Sequence, residues 1–142
     1  MARVDFYILK QSGQQSRQSF ACRLAEKAYR LDNTVHIHAG NQNDAQRLDE
    51  LLWTFRDGSF VPHQLIATTA ADIQSPVTIG CEGDHTESRD LLINLSDEVP
   101  SCADAFPRIA ELVTSDEECK QLSRKRFSKY RDQGHTLETH NV

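Results

Sequence analysis

A short apolar run near the start of the chain sets the first constraint on its fold. Val4 to Leu9 (VDFYIL) is rich in β-branched and aromatic side chains and shows little apolar–polar alternation, as expected for a strand covered on both faces. A polar turn region with Gly13 follows. From about Arg17 to Leu31 the residues Phe20, Leu24, Ala28 and Leu31 recur at helical spacing, until Asp32-Asn33 ends the pattern. Val35 to Ala39 (VHIHA) reads as a second strand, and Asn41 or Asn43 can cap a helix that contains Ala45 to Phe55. Strand, helix, strand, helix in that order favours right-handed crossovers and a mostly parallel, twisted sheet flanked by helices.

The second half is less regular. Leu65 to Ala67 is a short strand candidate, Val77 to Cys81 and Leu91 to Leu95 are clearer ones, and Glu82 to Arg89 between them has the composition of an exposed loop. Pro100 and Pro107 bracket a segment long enough for only a turn or so of helix, and Arg108 to Val113 reads as the last strand. Ser115 with Glu118 matches a capping box, so the final helix is expected to start near Asp116 and run to about Asp132, with Gly134 just past its end. Residues 135–142, with His135 and His140, read as a polar tail that frays. At 142 residues and 38% hydrophobic content, one domain spanning 1–142 with a single core is the expectation.

No apolar run approaches the length of a membrane span, and the start of the chain carries no cleavage-site pattern. Cys22, Cys81, Cys102 and Cys119 are scattered without a C-x-x-C pair, which disfavours a zinc site or a compact disulfide framework. Reduced thiols in a cytoplasm are the simplest account of this pattern. The fold class invites a nucleotide, yet neither G-x-G-x-x-G nor G-x-x-x-x-G-K-[ST] occurs. The architecture therefore resembles a nucleotide-binding fold without its phosphate loop, and no cofactor is expected. His36 and His38 lie two apart on one strand face, a possible metal half-site with no third ligand specified, and structural histidines are commoner. No nucleophile, base and acid stand in a recognisable catalytic context. The expectation is a chain that is not an enzyme. The alternative is a small nucleotide-binding regulator or enzyme on the same α/β fold.

Two stretches carry unusual surface chemistry. In the helix before residue 55, Ala45, Leu48, Leu51, Leu52 and Phe55 share one face, whereas Trp53, the only tryptophan, points elsewhere. Phe60 and Val61 then sit in a connection bounded by Asp57-Gly58 and Pro62. These residues either fold back as a satellite cluster or form an apolar patch held out for a protein. The second stretch is basic. Six of the 16 Lys and Arg lie between Lys120 and Arg131 with no acid among them, while the other ten stand against all 21 Asp and Glu. On that helix Lys120, Arg124, Phe127 and Arg131 form one stripe, and Cys119, Leu122 and Tyr130 face inward. A net charge of −5 argues against a broad nucleic-acid footprint, so direct DNA binding through this helix is disfavoured.

Taken together, VDFYIL, LDELLW followed by SFVPH, RDLLINLSDEVP and KQLSRKRFSKYRDQG resemble the chi subunit of bacterial DNA polymerase III holoenzyme over nearly the whole chain. The resemblance implies a non-catalytic adaptor that binds the psi subunit of the clamp loader and the acidic C-terminal tail of single-stranded-DNA-binding protein. It places psi on Trp53, Phe60, Val61, Pro62 and His63. For the tail, an acidic peptide ending in an aromatic residue and a free carboxylate would use Arg124, Lys120 and Arg131 for its acids, with Phe127 and Val113 as the apolar wall. The family often has tyrosine where Phe127 stands and lysine where Ser128 stands. One hydroxyl and one charge are thus missing, with Lys129 or Arg131 placed to compensate.

Overall fold

The structure is a computed structural model in which residues 2–54, 61–66, 75–81 and 89–142 are described. The elements run β1 (Arg3–Ile8), α1 (Gln14–Arg30), β2 (Val35–Ala39), α2 (Gln42–Thr54), β3 (His63–Leu65), β4 (Val77–Cys81), β5 (Leu91–Asn94), a short 3₁₀ turn (Ala103–Ala105), β6 (Arg108–Val113), α3 (Glu117–Asp132) and β7 (Thr136–Asn141). The seven strands form one open sheet in the order β3-β4-β2-β5-β6-β1-β7, and every pairing is parallel. The expected α/β class holds, with a wholly parallel sheet.

Strand alternation divides the buried side chains between two layers. Ala110 and Leu112 of β6, with Val35, Ile37 and Ala39 of β2, pack with Ala21, Cys22 and Ala25 of α1 and Leu48 and Leu52 of α2. Val4 and Phe6 of β1, with Ile109 and Val113 of β6, pack with Tyr130 and Phe127 of α3. Helices α1 and α2 therefore cover one face of the sheet and α3 the other.

Several boundaries differ from the sequence expectation. Helix α2 begins at Gln42, ahead of Ala45, behind the Asn41 cap foreseen as one of two candidates, whose Oδ1 accepts the Asp44 N–H at 2.8 Å. Helix α3 is preceded by Asp116 rather than capped by Ser115 with Glu118, and no side-chain cap hydrogen bond forms there. It ends as foreseen: Gly134 adopts φ 86° just past the last turn, where glycine is favoured. The tail does not fray. Residues 136–141 pair along the whole of β1 as the edge strand β7.

Candidate functional site

Helix α3 is locked onto the sheet by a buried polar cluster that the apolar pattern conceals. Glu111, in the middle of β6, is fully buried. Its Oε1 accepts from Arg126 Nε at 2.9 Å, and its Oε2 accepts from Tyr130 OH at 2.7 Å and Asn94 Nδ2 at 2.8 Å. Arg126 also donates to the Asp97 carbonyl at 3.1 Å. Burial, with Glu111 alongside, drives the Tyr130 hydroxyl above its ordinary pKa. One of the six cations of the basic helix thus faces inward, and the direction in which Arg126 and Tyr130 point fixes which residues of α3 face out.

Outward lies a groove of about 250 Å³ between α3 and the β1–β7 edge, lined by Phe6, Ile8, Ser123, Arg124, Phe127, Ser128 and Thr139. Phe127 is half-buried and packs on Phe6 with ring centroids 5.3 Å apart. Arg124 is exposed, its one ion pair among the described residues a loose 3.8 Å contact to the equally exposed Glu117, worth little on a solvated surface. Arg131, on the same stripe, is also exposed and 3.9 Å from Asp132, and Lys120 is partly buried. The groove brings together Arg124 and Phe127, whereas Lys120 and Arg131, a turn away along the same helix, are not on its lining. Val113 is not on its wall: it is buried beneath α3 in the core, because β6 lies one strand further in. Phe6, Ile8 and Thr139 line the groove instead.

On the opposite face, Trp53 at the end of α2 is 55% exposed. It rests against His63, ring centroids 4.7 Å apart. The His63 side chain is itself fully buried, with ring nitrogens 2.6 Å from the Val61 carbonyl oxygen and 3.0 Å from that of Asp49. His63 therefore supports Trp53 from below and joins α2 to β3. Val61 is buried in the core, Pro62 is half-buried, and Phe55 and Phe60 lie outside the described residues. In this stretch Val61 folds under, and Trp53 stays out.

The N-terminus of α1, the helix that follows the first strand, is occupied by a side chain of the protein itself. Ahead of α1, the Gly13 N–H donates to Asp116 Oδ2 at 2.8 Å, and Thr114 Oγ1 donates to the same oxygen at 2.8 Å. These bonds lower the Asp116 pKa. A carboxylate from the start of α3 thus stands at the N-terminus of α1, where an anion would bind.

Among the described residues, one group has the ligand types and spacing for a metal ion, Asp5 with Glu138 and His140. Arg3 Nε at 3.1 Å, Arg108 Nη2 at 3.4 Å and His140 Nε2 at 2.8 Å already surround Asp5. Burial raises the Asp5 pKa, and the bonds from His140 and Arg3 more than offset it, leaving it below the ordinary value. Two guanidiniums there favour an ion-pair cluster over a cation site.

His36 is buried, with Nδ1 2.8 Å from Thr78 Oγ1. Burial first, then His38 and Arg89, lowers its pKa to about 3 from 6.5. The unfolded chain takes up this proton below pH 6.5 and the folded chain does not until about pH 3. Stability is therefore expected to fall as the solution is acidified below pH 6.5, by at most about 1.4 kcal/mol per pH unit from this group. Urea melts of wild type and His36→Asn at pH 7.5 and 5.5 check this. An equal loss in the two proteins would remove His36 as the cause.

No helix among the described residues is long and apolar enough to cross a membrane. The family model described as DNA polymerase III chi subunit, HolC, matches residues 1–138. A protein named DNA polymerase III subunit chi from Pseudomonas aeruginosa is 39% identical over 142 residues, covering 100% of this chain and 98% of the relative. Its namesakes from Haemophilus influenzae and Escherichia coli K12 are 35% and 33% identical, each over 98% of this chain and 96% and 97% of their own lengths. Matched by that family model over nearly its whole length, and by these relatives from end to end, the chain belongs to the DNA polymerase III chi subunit family.

Proposed function

We propose that this chain is an adaptor of the replisome, joining the psi subunit of the clamp loader to the acidic tail of single-stranded-DNA-binding protein. The observation that carries the reading is the placement of two chemically different surfaces on opposite faces of one sheet. Trp53 is a large apolar side chain exposed beyond the α2 face, the kind of residue that anchors a protein interface. On the α3 face, the groove with Phe127 at its base and Arg124 at its rim suits a peptide that ends in an aromatic ring and a carboxylate. Separate faces let both partners bind at once, which an adaptor requires. The role is that of a replication accessory subunit with no chemistry of its own, and the Asp116 carboxylate at the α1 N-terminus weighs against the nucleotide-binding alternative.

Arg124→Ala is expected to weaken binding of a tail peptide by about 1.5–3 kcal/mol, the range for hydrogen bonds to charged groups. Affinity of the wild type should fall with added salt. Because Arg124 is exposed and its pair with Glu117 is a loose surface contact, the fold and psi binding should be unaffected. Calorimetric titrations with peptide and with psi test this. Unchanged peptide affinity, or loss of psi together with peptide, would sink the two-surface reading.

A further inference from the structure

The tail groove opens onto the edge of the sheet, and that edge is unusually accessible. Strand β7 is the last in the order, paired on one side only, with β1. The N–H groups of Thr136 and Val142 point inward, to the carbonyls of Ala2 and Ile8 at 3.1 Å. In a parallel ladder the same orientation recurs at every second residue. The N–H and C=O groups of Leu137, Thr139 and Asn141 therefore face away from β1, where the described residues provide no neighbouring strand. Natural edge strands are commonly blunted by proline, lysine, a bulge or a covering loop. The β7 sequence THR-LEU-GLU-THR-HIS-ASN contains no proline or lysine, and its register with β1 runs without a bulge.

Side chains at 137 and 139 point to the α3 face. Leu137 packs in the α3 core and Thr139 lines the groove. The one acid of the strand, Glu138, turns to the other face, where Arg3 lies 3.6 Å away. An acidic ligand in the groove thus meets Arg124, while the acid of β7 points away from it.

We propose that the outer edge of β7 is a strand-addition site, and that the extended acidic peptide whose end occupies the Phe127 groove pairs its backbone with Leu137, Thr139 and Asn141. This rests on the tail reading above and adds the mode of binding: main-chain pairing supplies affinity, and the groove selects the terminal side chain and carboxylate.

The test is residue-resolved amide exchange of the full chain, with and without a synthetic ten-residue acidic peptide that ends in phenylalanine with a free carboxylate. In the free protein the Leu137, Thr139 and Asn141 amides should exchange fast and those of Glu138 and His140 slowly. Saturating peptide should slow the first set by about tenfold or more, as new hydrogen bonds form. Thr139→Pro removes one outward N–H at an edge position that tolerates proline. It should lower peptide affinity by about tenfold, the equivalent of one lost hydrogen bond, whereas Thr139→Val should not. Peptide that binds in an Arg124-dependent way while these amides exchange as in the free protein overturns strand addition and leaves the tail reading intact. No peptide binding at all overturns the tail reading itself. Protection of the same amides that rises with protein concentration in the absence of peptide would assign the edge to a second copy of the chain and overturn the proposal.

Discussion

Glu111→Ala is expected to destabilise the protein by about 3–5 kcal/mol, the usual cost of removing one member of a buried ion pair. The carboxylate is fully buried and accepts three hydrogen bonds, from Arg126, Tyr130 and Asn94. Without it the Arg126 guanidinium stays buried with the Asp97 carbonyl as its remaining bond, and its Nη2 has no hydrogen-bond partner among the described residues even in the wild type. The Tyr130 hydroxyl would lose its acceptor as well. Much of the cost is thus desolvation of groups left behind, so removing both charges should cost far less than the sum of the single changes. Urea unfolding of Glu111→Ala, Arg126→Met and the double variant measures this coupling. A Glu111→Ala midpoint close to wild type would show that the network does not hold α3 in place.

That network also marks where sequence reading stops. The strand-helix alternation through α2 is legible because each element there follows its own period, two for strands and 3.6 for helices. The turn of Trp53 away from the core face and the Arg124–Phe127 stripe are legible for the same reason, since helical geometry alone orders them. Arg126 looks like one more solvated cation until β6 brings Glu111 beneath it, a pairing fifteen residues apart in sequence that no local period encodes. The trace available was a lone glutamate inside the apolar run RIAELV.

Strand β7 is hidden for a related reason. As an edge strand it buries little, so its six residues show no apolar alternation, and its stability comes from pairing with β1 at the other end of the chain. The groove wall follows suit: Phe6, Ile8 and Thr139 arrive through that pairing, while Val113 goes into the core. The Ser115–Glu118 capping box does not form: Asp116 takes the cap position and turns its carboxylate to Gly13, 103 residues away in sequence.

Trp53→Ala is expected, on the adaptor role proposed for the chain, to weaken a complex with psi by roughly 2–4 kcal/mol, in the range of a central aromatic anchor. The reasoning starts from the free protein, where the indole is 55% exposed and outside the buried face of α2 formed by Ala45, Leu48 and Leu52. Truncating it opens no core cavity and leaves the two His63 contacts to Val61 and Asp49 in place. Stability of the free chain should accordingly change by less than about 1 kcal/mol, the order of a surface ring–ring contact. Trp53 is also the only tryptophan, so its fluorescence reports on this surface alone. It should shift when psi binds and stay constant when a tail peptide fills the groove on the other face. Titration calorimetry and urea melts on Trp53→Ala separate binding from folding. Wild-type psi affinity in a folded Trp53→Ala protein would mean that this face is not the psi surface, and a large loss of stability would place Trp53 in a satellite core.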